Sequence, residues 1–243
     1  MIILITGANR GLGLCLAAEG LRRGHRIIAC CRSPSAELAA LTEQYPRELA
    51  VLTMDVASEE SVQAAAGELA ALTDRVDVII NNAAVLLESK YFEGDPLTDL
   101  PLADFETTMN VNILGPIRVL HYCAEFLYRS GKPMILNITS EGAALKPAGS
   151  HYIAYSVSKY GLNMFTQKIR NYFTEKRGCF PVKIFMVHPG RMNTVMGVEN
   201  AQIEPEIPAA GILDIIDGIT AVPDMTVPFI DYSGNPMPDH YIP

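Results

Sequence analysis

Tyr155 and Lys159 stand four residues apart within a stretch, Tyr152 to Lys176, whose pattern reads as helix. Residues at i and i+4 share a helix face, so the phenol and the ammonium are expected to point the same way. A phenol at its ordinary pKa of about 10 exchanges protons poorly near neutral pH. An adjacent ammonium stabilises the phenolate and is expected to lower that value, which suits acid–base work at an oxygen atom. Taken alone, the same spacing describes an exposed helical pair equally well.

A second constellation lies at the start of the chain, where Ile2–Ile5 leads into Thr6-Gly7-Ala8-Asn9-Arg10-Gly11-Leu12-Gly13 and then a helical pattern. Glycines there permit a tight turn and let backbone approach a pyrophosphate, while free amides at a helix start receive the anion. Folds of this kind that prefer NAD place an Asp or Glu about 20 residues on, against the ribose 2′-hydroxyl. Here the second strand ends on Cys30-Cys31-Arg32-Ser33, with no carboxylate before Glu37. Arg32, with Arg10 in the turn, suits a 2′-phosphate, so NADP(H) is the expected cofactor.

The elements needed to position these groups are legible as short buried-type runs alternating with helical patterns. Strands are expected at Ile2–Ile5, Arg26–Cys31, Leu49–Met54, Val76–Ile80, Pro133–Ile138 and Val182–Val187, and helices at Leu14–Arg23, Ser35–Gln44, Glu59–Leu72, Phe105–Tyr128 and Tyr152–Lys176. Alternation of this kind describes βαβ units, an α/β doubly wound parallel sheet with helices on both faces, although a TIM barrel shares it. Prolines at 205, 208, 223, 228, 236 and 238 leave room near the end for one helix, Ala209–Gly218, and one strand, Thr226–Ile230. Residues 1–243 read as a single domain, with 191–243 supplying a substrate-pocket segment, the last helix and strand, and a tail.

Composition narrows the partners. With 49% hydrophobic and 19% charged residues the chain is globular rather than disordered. Nineteen basic against 27 acidic residues give a net charge of −8, which disfavours nucleic acid or an anionic membrane and favours a small molecule. No run reaches the roughly 18 apolar residues of a membrane span, and no leader pattern precedes Ile2, so a cytoplasmic location is expected. Five cysteines without a C-x-x-C pair read as buried thiols, and five histidines show no ligand spacing, so no metal is expected.

In this order the chain resembles the short-chain dehydrogenase/reductase family. The resemblance rests on Thr6-Gly-x-x-x-Gly-x-Gly13, Asp55-Val56, Asn81-Asn82-Ala83-Ala84, Val111-Asn112-x-x-Gly115, Ser140, Tyr155-x-x-x-Lys159, and Pro189-Gly190 with Thr194. The pair Arg10 and Arg32 is similar to the NADP-preferring branch. The ending from Phe229 to Pro238 is similar to the smaller carbonyl reductases of the C-factor and sniffer type. The implied fold is a single-domain Rossmann-type sheet, and the implied activity is NADPH-dependent reduction of an aldehyde or ketone.

The resemblance also implies roles. Tyr155 gives a proton to a carbonyl oxygen that Ser140 holds, Lys159 holds the nicotinamide ribose, and Asn112 binds a water leading from Lys159 to solvent. Gly7, Asn9, Arg10, Gly11, Leu12 and Gly13 form the phosphate turn. Asp55 and Val56 meet the adenine, Asn82, Ala83 and Ala84 the adenosine ribose, and Pro189, Gly190, Met192 and Thr194 the nicotinamide end. Read from the residues alone, Tyr91, Phe92, Tyr152, Met192 and Met196 are candidates for the substrate pocket. Ala84 replaces the usual glycine, and the stretch from Asn82 to Asn112 is longer than usual. Its polar, proline-interrupted part, Glu88 to Pro101, is expected near the active-site mouth. Surplus apolar residues on the Phe105–Tyr128 and Tyr152–Lys176 helices point to a homodimer or homotetramer. A non-catalytic NADP(H) sensor or scaffold is the alternative reading. A sugar-nucleotide epimerase or dehydratase fits less well, because its usual glycine spacing and larger C-terminal region are lacking.

Overall fold

The structure, a computed structural model, describes residues 1–88, 94–145, 151–176, 182–196 and 201–238. Its strands are β1 (Ile2–Thr6), β2 (Arg26–Cys31), β3 (Leu49–Thr53), β4 (Val78–Asn81), β5 (Met134–Ile138), β6 (Lys183–His188) and β7 (Phe229–Asp231). The helices are α1 (Gly11–Arg22), α2 (Ala36–Gln44), α3 (Glu59–Leu72), α4 (Leu102–Met109), α5 (Gly115–Leu127), α6 (Ile153–Lys176) and α7 (Glu206–Asp217). All seven strands run parallel in the order β3-β2-β1-β4-β5-β6-β7. This is the doubly wound α/β sheet expected from the sequence, with helices covering both faces.

Alternation along each strand builds the two cores. Ile3 and Ile5 pack on one face with Leu16 of α1 and Ile212 of α7, while Leu4 between them packs on the other with Val62 of α3 and Val119 of α5. Because both faces are covered, the strands read as continuous apolar runs. Strand order reverses between β1 and β4, so the connections leaving their carboxyl ends part to opposite faces and open a crevice.

Several elements differ from their expected form. The single helix expected over Phe105–Tyr128 is two, α4 and α5, joined by a π-helical turn at Asn110–Leu114. Side chains reaching outside the helix hold that turn. Asn110 Nδ2 donates to the Ala57 carbonyl at 3.1 Å, and Arg118 reaches the Val56 carbonyl and Asn110 Oδ1 at 3.0 and 2.8 Å. Leu120, Phe126 and Leu127, read as surplus apolar surface, are instead buried within the chain's own core, and Leu114, Val157, Met164 and Tyr172 are the exposed remainder. Helix α7 begins at Glu206, earlier than expected, because Pro208 lies in its first turn, where an amide proton is not needed. Cys30, Cys31 and Cys123 are buried, but Cys15 is only half-buried, and Cys179 lies outside the described residues. No described helix is long and apolar enough to cross a membrane.

Candidate active site

The glycine turn is tied to the sheet by Thr6. Its hydroxyl oxygen accepts the amides of Asn82 and Ala83, each at 3.0 Å, and Asn82 Nδ2 donates back to the Thr6 carbonyl at 2.9 Å. Expected against a ribose, the Asn82 side chain is thus committed in part to joining β4 to β1. Gly7 has φ +67°, and a Cβ there would stand 2.9 Å from Ala83 Cα. At Gly13 a Cβ would lie 2.2 Å from the Gly7 carbonyl oxygen, so this glycine lets α1 approach the turn and forms no part of the cavity wall.

Above the turn is a cavity of about 610 Å³. Gly7, Asn9, Arg10, Gly11 and Leu12 form its floor, with Arg32 and Ser33 at the end of β2. Asp55 and Val56 after β3, and Asn82, Ala83, Ala84 and Val85 after β4, form one side. Pro189, Met192, Thr194 and Met196, which follow β6, form another. Gly190 stays out of the wall: it turns the chain at φ +81°, with Ile203 Cδ1 2.6 Å from where a Cβ would stand. Tyr152 is likewise absent from this wall, and Tyr91 and Phe92 lie outside the described residues.

Charge at the floor is arranged for an anion. Ser35 and Ser58 cap α2 and α3 by accepting the amides of Leu38 and Ser61. Helix α1 has no side-chain cap and no acidic residue in its first turn, so its first amides and the positive end of its dipole face the cavity. Among the described residues neither Arg10 nor Arg32 makes a side-chain hydrogen bond or ion pair. Two exposed, uncommitted guanidinium groups beside a glycine cradle suit a pyrophosphate next to a phosphorylated ribose. Asp55 is fixed at the strand end, where its Oδ1 accepts the Ala57 amide at 3.0 Å.

Tyr155 and Lys159 also line the cavity, with Ile138 at the end of β5 and Thr139 just after it. Lys159 is 2% exposed, and its Nζ donates to the Ile138 carbonyl at 2.8 Å and lies 5.6 Å from the centre of the Tyr155 ring. Burial pushes the Lys159 ammonium down to about 8. For Tyr155 the expected lowering is reversed in the chain on its own. Burial pushes the phenol up to about 12, and only a hydrogen bond from Ser140 opposes it. Desolvation of a phenolate here outweighs the nearby ammonium, so Tyr155 holds its proton at neutral pH.

Ser140 is held by its own turn, with its Oγ accepting the Gly142 amide at 3.1 Å. Behind that turn His188 Nδ1 accepts the Glu141 amide at 3.3 Å, and burial lowers the His188 pKa against the opposing charges of Glu141 and Asp231. A neutral imidazole is what such an acceptor requires. Asn112 sits in the π-helical turn, 1% exposed, and does not line the cavity. Its side chain accepts the Val85 amide and donates to the Val85 carbonyl, both at 2.9 Å, and donates to Ser158 Oγ at 3.0 Å. The side chain is thus occupied by protein groups, leaving main-chain atoms of the widened turn to meet any water.

Sequence reasoning assigned no role of their own to Thr6, Ser158 or Thr139, the last of which lines the cavity and has a buried hydroxyl with no hydrogen-bond partner among the described residues. It also placed Glu88 in a polar loop, whereas Glu88 is 6% exposed. Thr6 follows a strand and precedes the glycines, a position that carried a readable signal. Ser158 and Glu88 acquire their partners only on folding, and the burial of Thr139 is likewise a property of the folded chain.

The family model described as short chain dehydrogenase matches residues 1–204. An uncharacterized oxidoreductase of Schizosaccharomyces pombe is 30% identical, over 98% of this chain and 97% of that protein. An NADPH-dependent pterin aldehyde reductase of Arabidopsis thaliana is 28% identical, over 79% of this chain and 75% of its own. In fold, the chain is similar to the carbonyl reductase Sniffer of D. melanogaster, with a TM-score of 0.83 at 22% identity and coverage of 97% and 98%.

Proposed function

From the premise that this chain belongs to the short-chain dehydrogenase family, we propose that it is an NADPH-dependent reductase converting an aldehyde or ketone to an alcohol. The observation that carries the proposal is the cavity itself, which joins an uncapped α1 and the free guanidiniums of Arg10 and Arg32 to the Tyr155–Lys159 pair. The reduced nicotinamide, when bound, supplies a hydride to the carbonyl carbon. Tyr155, kept protonated by burial, donates its proton to the carbonyl oxygen as charge develops there. Ser140, anchored by Gly142, adds a hydrogen bond to the same oxygen and stabilises the nascent alkoxide.

Lys159 turns from the Ile138 carbonyl toward the nicotinamide ribose and favours the transient phenolate. The π-helical turn at Asn112 offers a route by which a proton returns from solvent. Arg10 and Arg32 grip the 2′-phosphate, Asp55 the adenine, and Pro189, Gly190, Met192 and Thr194 the nicotinamide end. Exposed Leu114 in the π-helical turn and Val157 and Met164 on α6 support a homodimer or homotetramer, in a protein that works in the cytoplasm.

NADPH consumption measured against aldehydes, ketones, quinones and acyl β-ketones tests the reading. Carbonyl-dependent oxidation of NADPH, faster than that of NADH, is expected. Tight NADPH binding with no turnover on any carbonyl class would instead favour a cofactor-binding sensor.

A further inference from the structure

The helix that carries Tyr155 has an unusual beginning. It is entered through Tyr152, which at φ 60° is the only non-glycine residue with positive φ among those described. A bulky side chain in the left-handed region is strained and persists only where surrounding structure fixes it. Tyr152 also lacks the short side chain that caps a helix from the preceding position. The orphan amides of the first turn therefore need another acceptor, and it comes from a remote part of the chain. Glu88 Oε1 accepts the Ala154 amide at 2.8 Å, and Glu88 Oε2 accepts the Tyr155 amide at 3.0 Å.

We propose that Glu88 is a positioning residue for the reaction, its buried carboxylate setting the depth and direction from which Tyr155 enters the cavity. A carboxylate accepting two amides at a helix start combines two charge-assisted hydrogen bonds with a favourable charge against the dipole. One of the two amides belongs to Tyr155 itself. The bonds also close a ring. Asn112 clamps both backbone groups of Val85 and donates to Ser158 Oγ, which donates to the Tyr155 carbonyl at 2.6 Å. Chain connectivity from Val85 to Glu88 completes the circuit. Tyr155 is thereby held at its amide by Glu88 and at its carbonyl by the π-helical turn, both referenced to the segment that leaves β4 beside the cofactor cavity. Glu88 does not line that cavity, so it acts through Tyr155 and not on the cofactor.

The inference rests on the reductase reading for its kinetic arm alone. Glu88→Ala and Glu88→Gln are compared with wild type in NADPH-dependent reduction of 4-nitrobenzaldehyde and in amide hydrogen exchange at residues 154 and 155. Expected for Glu88→Ala is a fall in kcat of about ten- to a hundredfold, the scale on which misplaced reacting groups cost rate. KM and NADPH affinity stay within about twofold, and exchange at the two amides quickens about tenfold or more as their acceptor is lost. Glu88→Gln, which keeps one acceptor oxygen, falls between on both readouts and serves alone if the alanine variant does not fold. Unaltered exchange, or unaltered kcat with quickened exchange, overturns the proposal. Wild type inactive on every carbonyl removes the reductase reading, while the exchange arm still tests whether Glu88 holds the helix.

Discussion

Replacing Lys159 by methionine should separate what this residue does for function from what it costs the fold. The ammonium is 2% exposed, and its pKa falls from 10.5 to about 8. At about 1.4 kcal/mol per pH unit, that difference corresponds to about 3–4 kcal/mol. The sign follows from linkage. The folded pKa lies below the unfolded one, so between pH 8 and 10.5 the unfolded chain binds more protons and wild-type stability rises with pH. Below pH 8 the full cost of the buried charge is present. Methionine has similar length and no charge, but leaves the Ile138 carbonyl without the 2.8 Å bond, a loss of about 1–3 kcal/mol.

The cofactor-free variant should therefore be more stable than wild type near neutral pH by about 1 kcal/mol, while losing turnover. Its advantage should shrink by about 3 kcal/mol as pH rises to 10.5, because wild type can then shed the proton. Urea unfolding of both proteins across this range measures the difference directly, and titrations common to the two cancel. A difference that does not change with pH would refute the reasoning, as would a variant whose relative stability grows as pH rises.

Two further perturbations probe the cofactor end. Removing Arg10 or Arg32 as alanine should weaken NADPH by about tenfold or more each, the scale of a charge-assisted phosphate contact, while leaving NADH nearly unaffected; equal losses for both cofactors in a fluorescence titration would dismiss the 2′-phosphate assignment. Thr6→Val keeps the shape of a strand residue but strips the acceptor from the amides of Asn82 and Ala83. It should cost about 2 kcal/mol in thermal unfolding and loosen NADPH binding, and a melting point unchanged from wild type would show that the tie is dispensable.

The fold was readable because its signal is local. Strand β2 at Arg26–Cys31 and helix α3 at Glu59–Leu72 have the bounds that their apolar runs and cap residue indicate. The helix through Asn112 was misread as continuous because its π-helical turn is held by partners far along the chain, at Ala57, Val56 and Val85. The upward shift of Tyr155 in the cofactor-free chain was not legible for the same reason. Burial is a property of the assembled site, while a four-residue spacing announces only the neighbouring ammonium. Glu88 shows the limit most clearly, since a glutamate in a polar, proline-interrupted stretch carries no mark of the helix amides 66 and 67 residues away that it will meet.

The most direct test of the account is Tyr155→Phe, which removes one oxygen and leaves the ring, the cavity and the charges at its floor in place. The variant should bind NADPH as wild type does, yet reduce carbonyl compounds about a hundredfold or more slowly, the scale of a lost general acid. Turnover equal to wild type would contradict the role given to the phenol and, with it, the proposed mechanism.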